Sequence, residues 1–362
     1  MRNLKIGILT IWIALISCST EDSNPPGNNA PPAAGTSPEW LIPKAQVLDG
    51  GPGKDGIPAL TLPEFVALDQ ASYLTDDDLV VGFAHNGEYR AYPHNILDWH
   101  EIVNDDVLGA KIAVTYCPLT GTGIGWNRQL PVYETTFGVS GLLYNTNLMP
   151  YDRTTDSYWS QISLKCVNGT LKGSTASTYR LLETTWKLWK EMFPNSMVLS
   201  ESTGHDRNYD NYPYGNYRTN DEMLLFPVSP MDERLPAKER VLTIIQDSKA
   251  KVYRFETFDS DTKIIADEFS SREIIIVGNK SKNFMVAFGN TLNNEKKTFS
   301  VISDTNPSII FGDQDGNKYD LLGNVVEGPG KGQSLINVTS FMAYWFSVGA
   351  FYSNTQIYNG NG

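Results

Sequence analysis

Val80-Val81-Gly82-Phe83, followed by Glu88-Tyr89-Arg90-Ala91-Tyr92, decides the fold, because the chain repeats it about 160 residues later. The echo is Val241-Leu242-Thr243-Ile244 with Lys249-Ala250-Lys251-Val252-Tyr253. Each copy is two apolar, β-branched runs around a turn, His85-Asn86-Gly87 or Gln246-Asp247-Ser248, and predicts a β-hairpin. Working outward, Ile102-Val103-Asn104-Asp105 matches Ile264-Ile265-Ala266-Asp267, and Lys111-Ile112-Ala113-Val114 matches Glu273-Ile274-Ile275-Ile276. These short runs are expected of buried strands. Residues 185–194 and 342–352 each predict one short amphipathic helix. A long period that occurs only twice means duplication, not a solenoid. The expectation is an α+β fold, mainly antiparallel β, with two tandem related halves packed as a pseudo-symmetric pair, each with a short helix.

The first 17 residues predict an export signal. Arg2 and Lys5 supply positive charge, and residues 6–15 are almost wholly apolar but too few to span a bilayer. Leu15-Ile16-Ser17-Cys18 resembles a bacterial lipobox, which implies cleavage before Cys18 and acylation of its thiol. The bilayer is then a partner, reached through acylated Cys18. Ser19 in place of Asp favours the outer membrane, and Glu21-Asp22 resembles surface-export signals. Residues 18–38 are polar and Pro-, Gly- and Asn-rich, so they read as a tether. Loss of Arg2 and Lys5 leaves 27 basic against 41 acidic residues and moves the net charge from −12 to −14. That balance repels phosphate backbones and excludes nucleic acid as a partner.

The chain then divides into a first half (39–199), a Tyr- and Asn-rich connector (200–235) and a second, degenerate half (236–362). The halves are chemically unequal. Cys117 falls opposite Asn279 and His100 opposite Thr262, and every histidine precedes residue 206. Chemistry is expected in the first half and the connector, and the second half reads as structural. The connector has two readings: a loop that lines a binding site, or an aromatic strap between the halves.

Cys117 ends an apolar strand, before Pro118 and a glycine-rich turn, where side chains commonly reach cleft mouths. His94 and His100 share one surface if the segment between them is helical. Cys117, His100 and His94 form a candidate copper or zinc set, with Met149 as a weak further ligand. The same Cys117 and His100 instead suit a catalytic thiolate–imidazolium pair, oriented by Glu101, Asp105 or Asp106. The third reading is an interaction protein without site chemistry. Tyr116, Asp152, Arg153, Trp159 and His205 are weaker candidates for ligand binding, and Asp152 with Arg153 reads better as a buried structural pair. Cys117 and Cys166 are the two cysteines left after Cys18, and either pair or pack as free thiols. No phosphate loop, dinucleotide fingerprint or hydrolase elbow is present in the sequence.

The segments Arg90-Ala91-Tyr92-Pro93, His100-Glu101-Ile102-Val103-Asn104-Asp105, Val114-Thr115-Tyr116-Cys117-Pro118-Leu119, Phe137-Gly138-Val139-Ser140-Gly141 and Tyr151-Asp152-Arg153 with Trp159-Ser160-Gln161 together resemble a bacterial family known as a domain of unknown function. The resemblance begins near Asp55 and brings almost no mechanism. Members of that family often carry a second cysteine where this chain has Thr120, so a Cys-x-x-Cys redox pair is ruled out here. Replacing Cys18 with Ala is expected to move the protein from the membrane fraction to the soluble fraction on cell fractionation. A variant that stays with the membranes would contradict the lipid anchor.

Overall fold

The computed structural model describes residues 39–130 and 133–360. The expected export signal, Cys18 and the tether lie outside the described residues. Among the described residues, no helix is long and apolar enough to cross a membrane.

Both hairpins form. Leu79–His85 pairs antiparallel with Glu88–Pro93, with Val81 opposite Tyr92. Arg240–Gln246 pairs with Lys249–Arg254 in the same way, with Leu242 opposite Tyr253. Asn86 (φ 50°) and Gly87 (φ 83°) close the first turn, and Asp247 (φ 50°) and Ser248 (φ 63°) close the second. Two successive positive φ values match the right-handed twist of the flanking strands, which is why Asn and Gly sit there.

A three-strand meander follows each hairpin: Ile102–Val107, Ala110–Cys117 and Thr122–Asn127 in the first half, and Lys263–Phe269, Arg272–Asn279 and Phe284–Gly289 in the second. Later in each half a strand returns beside the hairpin. Leu182–Thr185 pairs with Leu79–His85, and Ser340–Tyr344 with Arg240–Gln246. Each return strand feeds a helix and then a short parallel edge strand, Met197–Leu199 or Gln356–Ile357. The strand order is therefore repeated.

The helices differ in number. The first hairpin runs directly into α1 (His94–His100), where the second half has only a 3₁₀ turn, Phe255–Thr257. The return strands lead into α2 (Trp186–Met192) and α3 (Trp345–Phe351). Antiparallel pairing dominates the whole, as the alternating apolar runs require.

Each of these helices finishes the core of the other half. Trp186, Trp189 and Met192 of α2 lie in one apolar cluster with Ile275, Val277 and Phe288. Trp345 and Val348 of α3 lie in another with Ala113, Cys117 and Trp126. Residues 39–362 thus form one compact unit rather than two separable domains. Backbone joints reinforce the exchange, including Tyr344 N–H to Thr120 C=O at 2.7 Å.

Trp189 is completely buried, and its ring lies directly over Gly82. A Cβ at position 82 would fall inside that ring. Gly82→Ala is expected to destabilise the protein by about 1–3 kcal/mol in urea denaturation, and Trp189→Ala by about 3–5 kcal/mol. Wild-type stability in both variants would contradict this packing.

Candidate functional site

The site is built on α1 and the strand beside it. Ile96 and Leu97 are fully buried and fix the helix to the first-half core. Glu101 follows the last turn with φ 57° and ψ −31°, a left-handed conformation usually left to glycine at helix ends. Its backbone is held on both sides. Glu101 N–H donates to Leu97 C=O at 2.8 Å, and Glu101 C=O accepts from Tyr116 N–H at 2.6 Å. A side chain in this conformation costs on the order of 1 kcal/mol or more.

Asp98 and Glu101, three residues apart, both line a cavity of about 390 Å³. The rest of its wall is largely apolar, with Leu119, Leu142, Leu143 and Leu148 from the first half and Tyr214 and Phe226 from the connector, which also brings Arg207. Gly141 (φ 77°) completes the rim, where a Cβ would strike the backbone of Gly53. A second, polar cavity of about 400 Å³ is lined by His94, Asn95, Arg218 and again Asp98, which therefore borders both spaces.

The two carboxyls are poorly partnered. Glu101 is 6% exposed, and among the described residues no donor or cation pairs with its carboxyl. Asp98 is 4% exposed and its Oδ1 has no hydrogen-bond partner, while its Oδ2 lies 3.9 Å from Arg218 Nη1. Burial pushes Asp98 up to about 7, with His94 and Arg218 pulling the other way. Burial, assisted by the charge of Asp98, pushes Glu101 up to about 8. Two carboxyls are thus poised to exchange protons near neutrality inside an apolar wall.

The sequence candidates are placed as follows. His94 lies between Tyr116 Oη, 3.2 Å from its Nδ1, and Glu183 Oε2, 3.3 Å from its Nε2. Glu183 is in turn paired with Arg240 of the second half. Burial opposes the charge on Glu183, but His94 and Arg240 outweigh it and hold the carboxyl below its usual range. His100 Nδ1 is 2.7 Å from Pro58 C=O, and its Nε2 is 2.6 Å from Tyr209 Oη. A carbonyl only accepts, so Nδ1 carries the proton and Nε2 accepts from the phenol. Burial lowers His100 to about 4, against the pull of the Pro58 carbonyl, so the ring is neutral. His205 is exposed, with its ring 5.4 Å from that of His100.

Cys117 is buried, with its Sγ 3.4 Å from Leu148 N–H. Burial, followed by the charge of Glu101, pushes its thiol up to about 11. It is a thiol at neutral pH, without the lowered pKa that nucleophilic chemistry needs. Cys166 is also buried, and both cysteines are free.

Cys117, His94 and His100 do not share a centre. The segment 94–100 is helical, but six residues at about 100° each put the two rings about 120° apart around the axis, on different faces. Among the described residues, no group of three or more His, Cys, Asp or Glu side chains is arranged to hold a metal ion. Asp152 and Arg153 are not a pair either. Asp152 accepts from Thr155 and from Trp159 Nε1–H, whereas Arg153 reaches Asp55 at 2.9 Å. Asp152 ends its strand and Arg153 opens the turn that follows, which sends the two side chains to different partners. Trp159 is fully buried against Trp126 and Phe137. None of Tyr116, Asp152, Arg153, Trp159 and His205 lines the apolar cavity. Thr120, at the position of the second cysteine, accepts from Asn147 Nδ2–H at 3.0 Å.

The connector is bound to the first half and reaches the cavity. Tyr209, Tyr212 and Tyr217 tie it down through His100, Pro118 C=O and Leu119 C=O, while Pro213, Tyr214 and Phe226 face the cavity.

Residues 54–355 match the family described as a protein of unknown function, DUF3179. The chain belongs to that family. Neither a curated protein nor a solved structure matches it. The segment His100-Glu101-Ile102-Val103-Asn104-Asp105 contains Glu101, to which the sequence alone assigns only an orienting role, and it assigns none to Asp98. The available signal was two acids at helical i, i+3 spacing inside Ile96-Leu97-Asp98-Trp99-His100-Glu101-Ile102.

Both carboxyls keep protons in the folded state at pH values where the unfolded chain has lost them. Their contribution to stability is therefore present at pH 4 and is lost as pH rises toward about 8. Asp98→Asn and Glu101→Gln are each expected to exceed wild-type stability by about 1–3 kcal/mol at pH 8 and to show no such gain at pH 4, read by urea denaturation. An equal gain at both pH values would show that ionisation is not its source.

Proposed function

We propose that the chain is a cell-envelope protein, anchored through acylated Cys18, that binds a small and mostly apolar molecule in the cavity beside α1. The observation that carries this reading is Glu101: a carboxyl 6% exposed, without a partner, on a left-handed backbone, lining an apolar cavity. An unpaired buried polar group and an unfavourable backbone conformation both destabilise the fold, and neither is needed to pack it. A ligand that donates to Glu101 supplies the missing partner. About 390 Å³ is room for a molecule of roughly a dozen heavy atoms, judged by the volume of water.

The other readings have less support. A cysteine nucleophile needs a lowered pKa, and Cys117 stands near 11. A copper or zinc site needs converging donors, and His94 and His100 face different partners.

The test uses N-phenyl-1-naphthylamine, a neutral apolar fluorophore, with the full chain. One site per chain is expected. Leu142→Trp, which fills the cavity from a partly exposed position, is expected to weaken binding at least tenfold with an unchanged melting temperature. Undiminished binding by that folded variant would overturn the reading.

A further inference from the structure

Resting on that reading, we propose that the ligand is a small organic amine, bound as its ammonium ion with the charge between Asp98 and Glu101 and the apolar body against the leucine wall. The geometry around the two carboxyls leads to this class. Buried carboxyls are normally matched by a cation or by several donors. Here Glu101 has neither, and Asp98 Oδ1 is bare.

The groups that face the pair from every side leave the deficit in place. On α1 itself, His94 is engaged by Tyr116 and Glu183. The strand Ala110–Cys117 brings Tyr116 and Cys117, whose hydroxyl and thiol are both pushed up by burial and stay neutral. The connector brings Tyr212 and Tyr214, pushed up in the same way, and two arginines. Arg218 is exposed, lies over the Tyr212 ring at 4.3 Å and reaches only Asp98, at 3.9 Å. Arg207 is exposed, lines the same cavity and lies over the Trp99 ring at 5.8 Å, with no ion pair to either carboxyl. Glu183 is already matched by Arg240, and Tyr344, from the second half, is a buried neutral phenol. His94 and Arg218 thus act on Asp98, Arg207 lies over Trp99 at the cavity wall, and among the described residues no cation pairs with Glu101, so the two acids stay undermatched.

An anion is repelled by this site, and a neutral alcohol leaves the charge deficit unfilled. An ammonium group brings both the charge and three N–H donors, enough for Asp98 Oδ1 and both Glu101 oxygens. Its charge favours the ionised carboxyls, so binding expels the protons they hold near neutrality. Affinity must then rise with pH while the amine itself stays protonated.

The experiment compares 2-phenylethylamine with 2-phenylethanol by isothermal titration calorimetry on the full chain at pH 6, 7 and 8. The amine is expected to bind at least tenfold more tightly than the alcohol at pH 8. Its affinity is expected to increase severalfold from pH 6 to pH 8, with proton release seen as a buffer-dependent enthalpy. Glu101→Gln and Asp98→Asn, shown folded by their melting curves, are each expected to lower amine affinity about tenfold and to flatten its pH dependence. Equal affinity for amine and alcohol would overturn the ammonium inference while the cavity reading stands. Amine binding untouched by both substitutions would also overturn it. Failure of both compounds to bind or to displace N-phenyl-1-naphthylamine would remove the inference and the cavity reading together.

Discussion

The mutual burial of tryptophan helices is the constraint on which the rest of the structure depends. A sheet whose strands are apolar on both faces needs a cover on each, and neither half carries enough of its own. Helix α2 supplies Trp189 to a cluster rich in second-half side chains, and α3 supplies Trp345 to one rich in first-half side chains. Neither core closes unless both halves are folded. This explains why residues 39–362 are one compact unit and not two separable domains. It also fixes the ground beneath the site. The turn after Cys117 is pinned through Thr120 C=O to Tyr344, and the His94–Glu183 contact is completed by Arg240. The second half thus holds the walls of a site to which it contributes little surface.

That rigidity allows the first half to carry an arrangement that opposes stability. Asp98 and Glu101 are taken out of water without adequate partners, and Glu101 adopts a backbone conformation better suited to glycine. A marginally stable domain would relax such a region by letting the helix end fray. Here the Glu101 backbone is bonded to Leu97 on one side and to Tyr116 on the other. The connector is tied across the same region by Tyr209, Tyr212 and Tyr217. Unfavourable local terms of this kind concentrate at functional sites because a surrounding fold can hold them.

Much of the architecture was legible in the sequence because period-2 apolar runs and two-residue turns are local signals. The two hairpins, the meander strands and the helices at 186–192 and 345–351 follow from them. The site was less legible. His94 and His100 drew attention as metal-binding residue types, yet six residues of helix turn them to different faces. Asp152 and Arg153 have opposite charges and adjacent positions, and the strand end that falls between them separates their side chains. Glu101 was noticed only as a companion to histidine, and Asp98 was missed. Their distinction lies in what surrounds them rather than in what they are. A carboxyl whose pKa is set by burial is recognised only once the leucines, Tyr214 and Phe226 are known to converge on it from distant parts of the chain.

The second half provides an internal comparison that separates fold from function. Its sheets repeat the central strand order without the edge strands Val47–Asp49, Leu60–Thr61, Phe65–Ala67 and Thr178–Tyr179, and the turn Phe255–Thr257 stands where the first half has α1. The residue opposite Cys117, Asn279, is fully occupied. Its Nδ2 donates to Ser260 C=O and its Oδ1 accepts from Lys282 N–H. The residue after Thr262, which stands opposite His100, is Lys263, and it simply opens a strand. At this point the framework therefore folds without a helix, and the segment 255–263 has neither an acidic residue of positive φ nor a buried pair of carboxyls. If Glu101 and Asp98 served only packing, the second half would need an equivalent, and it has none. What the first half keeps beyond the shared framework is a helix end, two unsatisfied acids and an apolar space beside them, and these are the elements that a ligand, rather than the fold, requires.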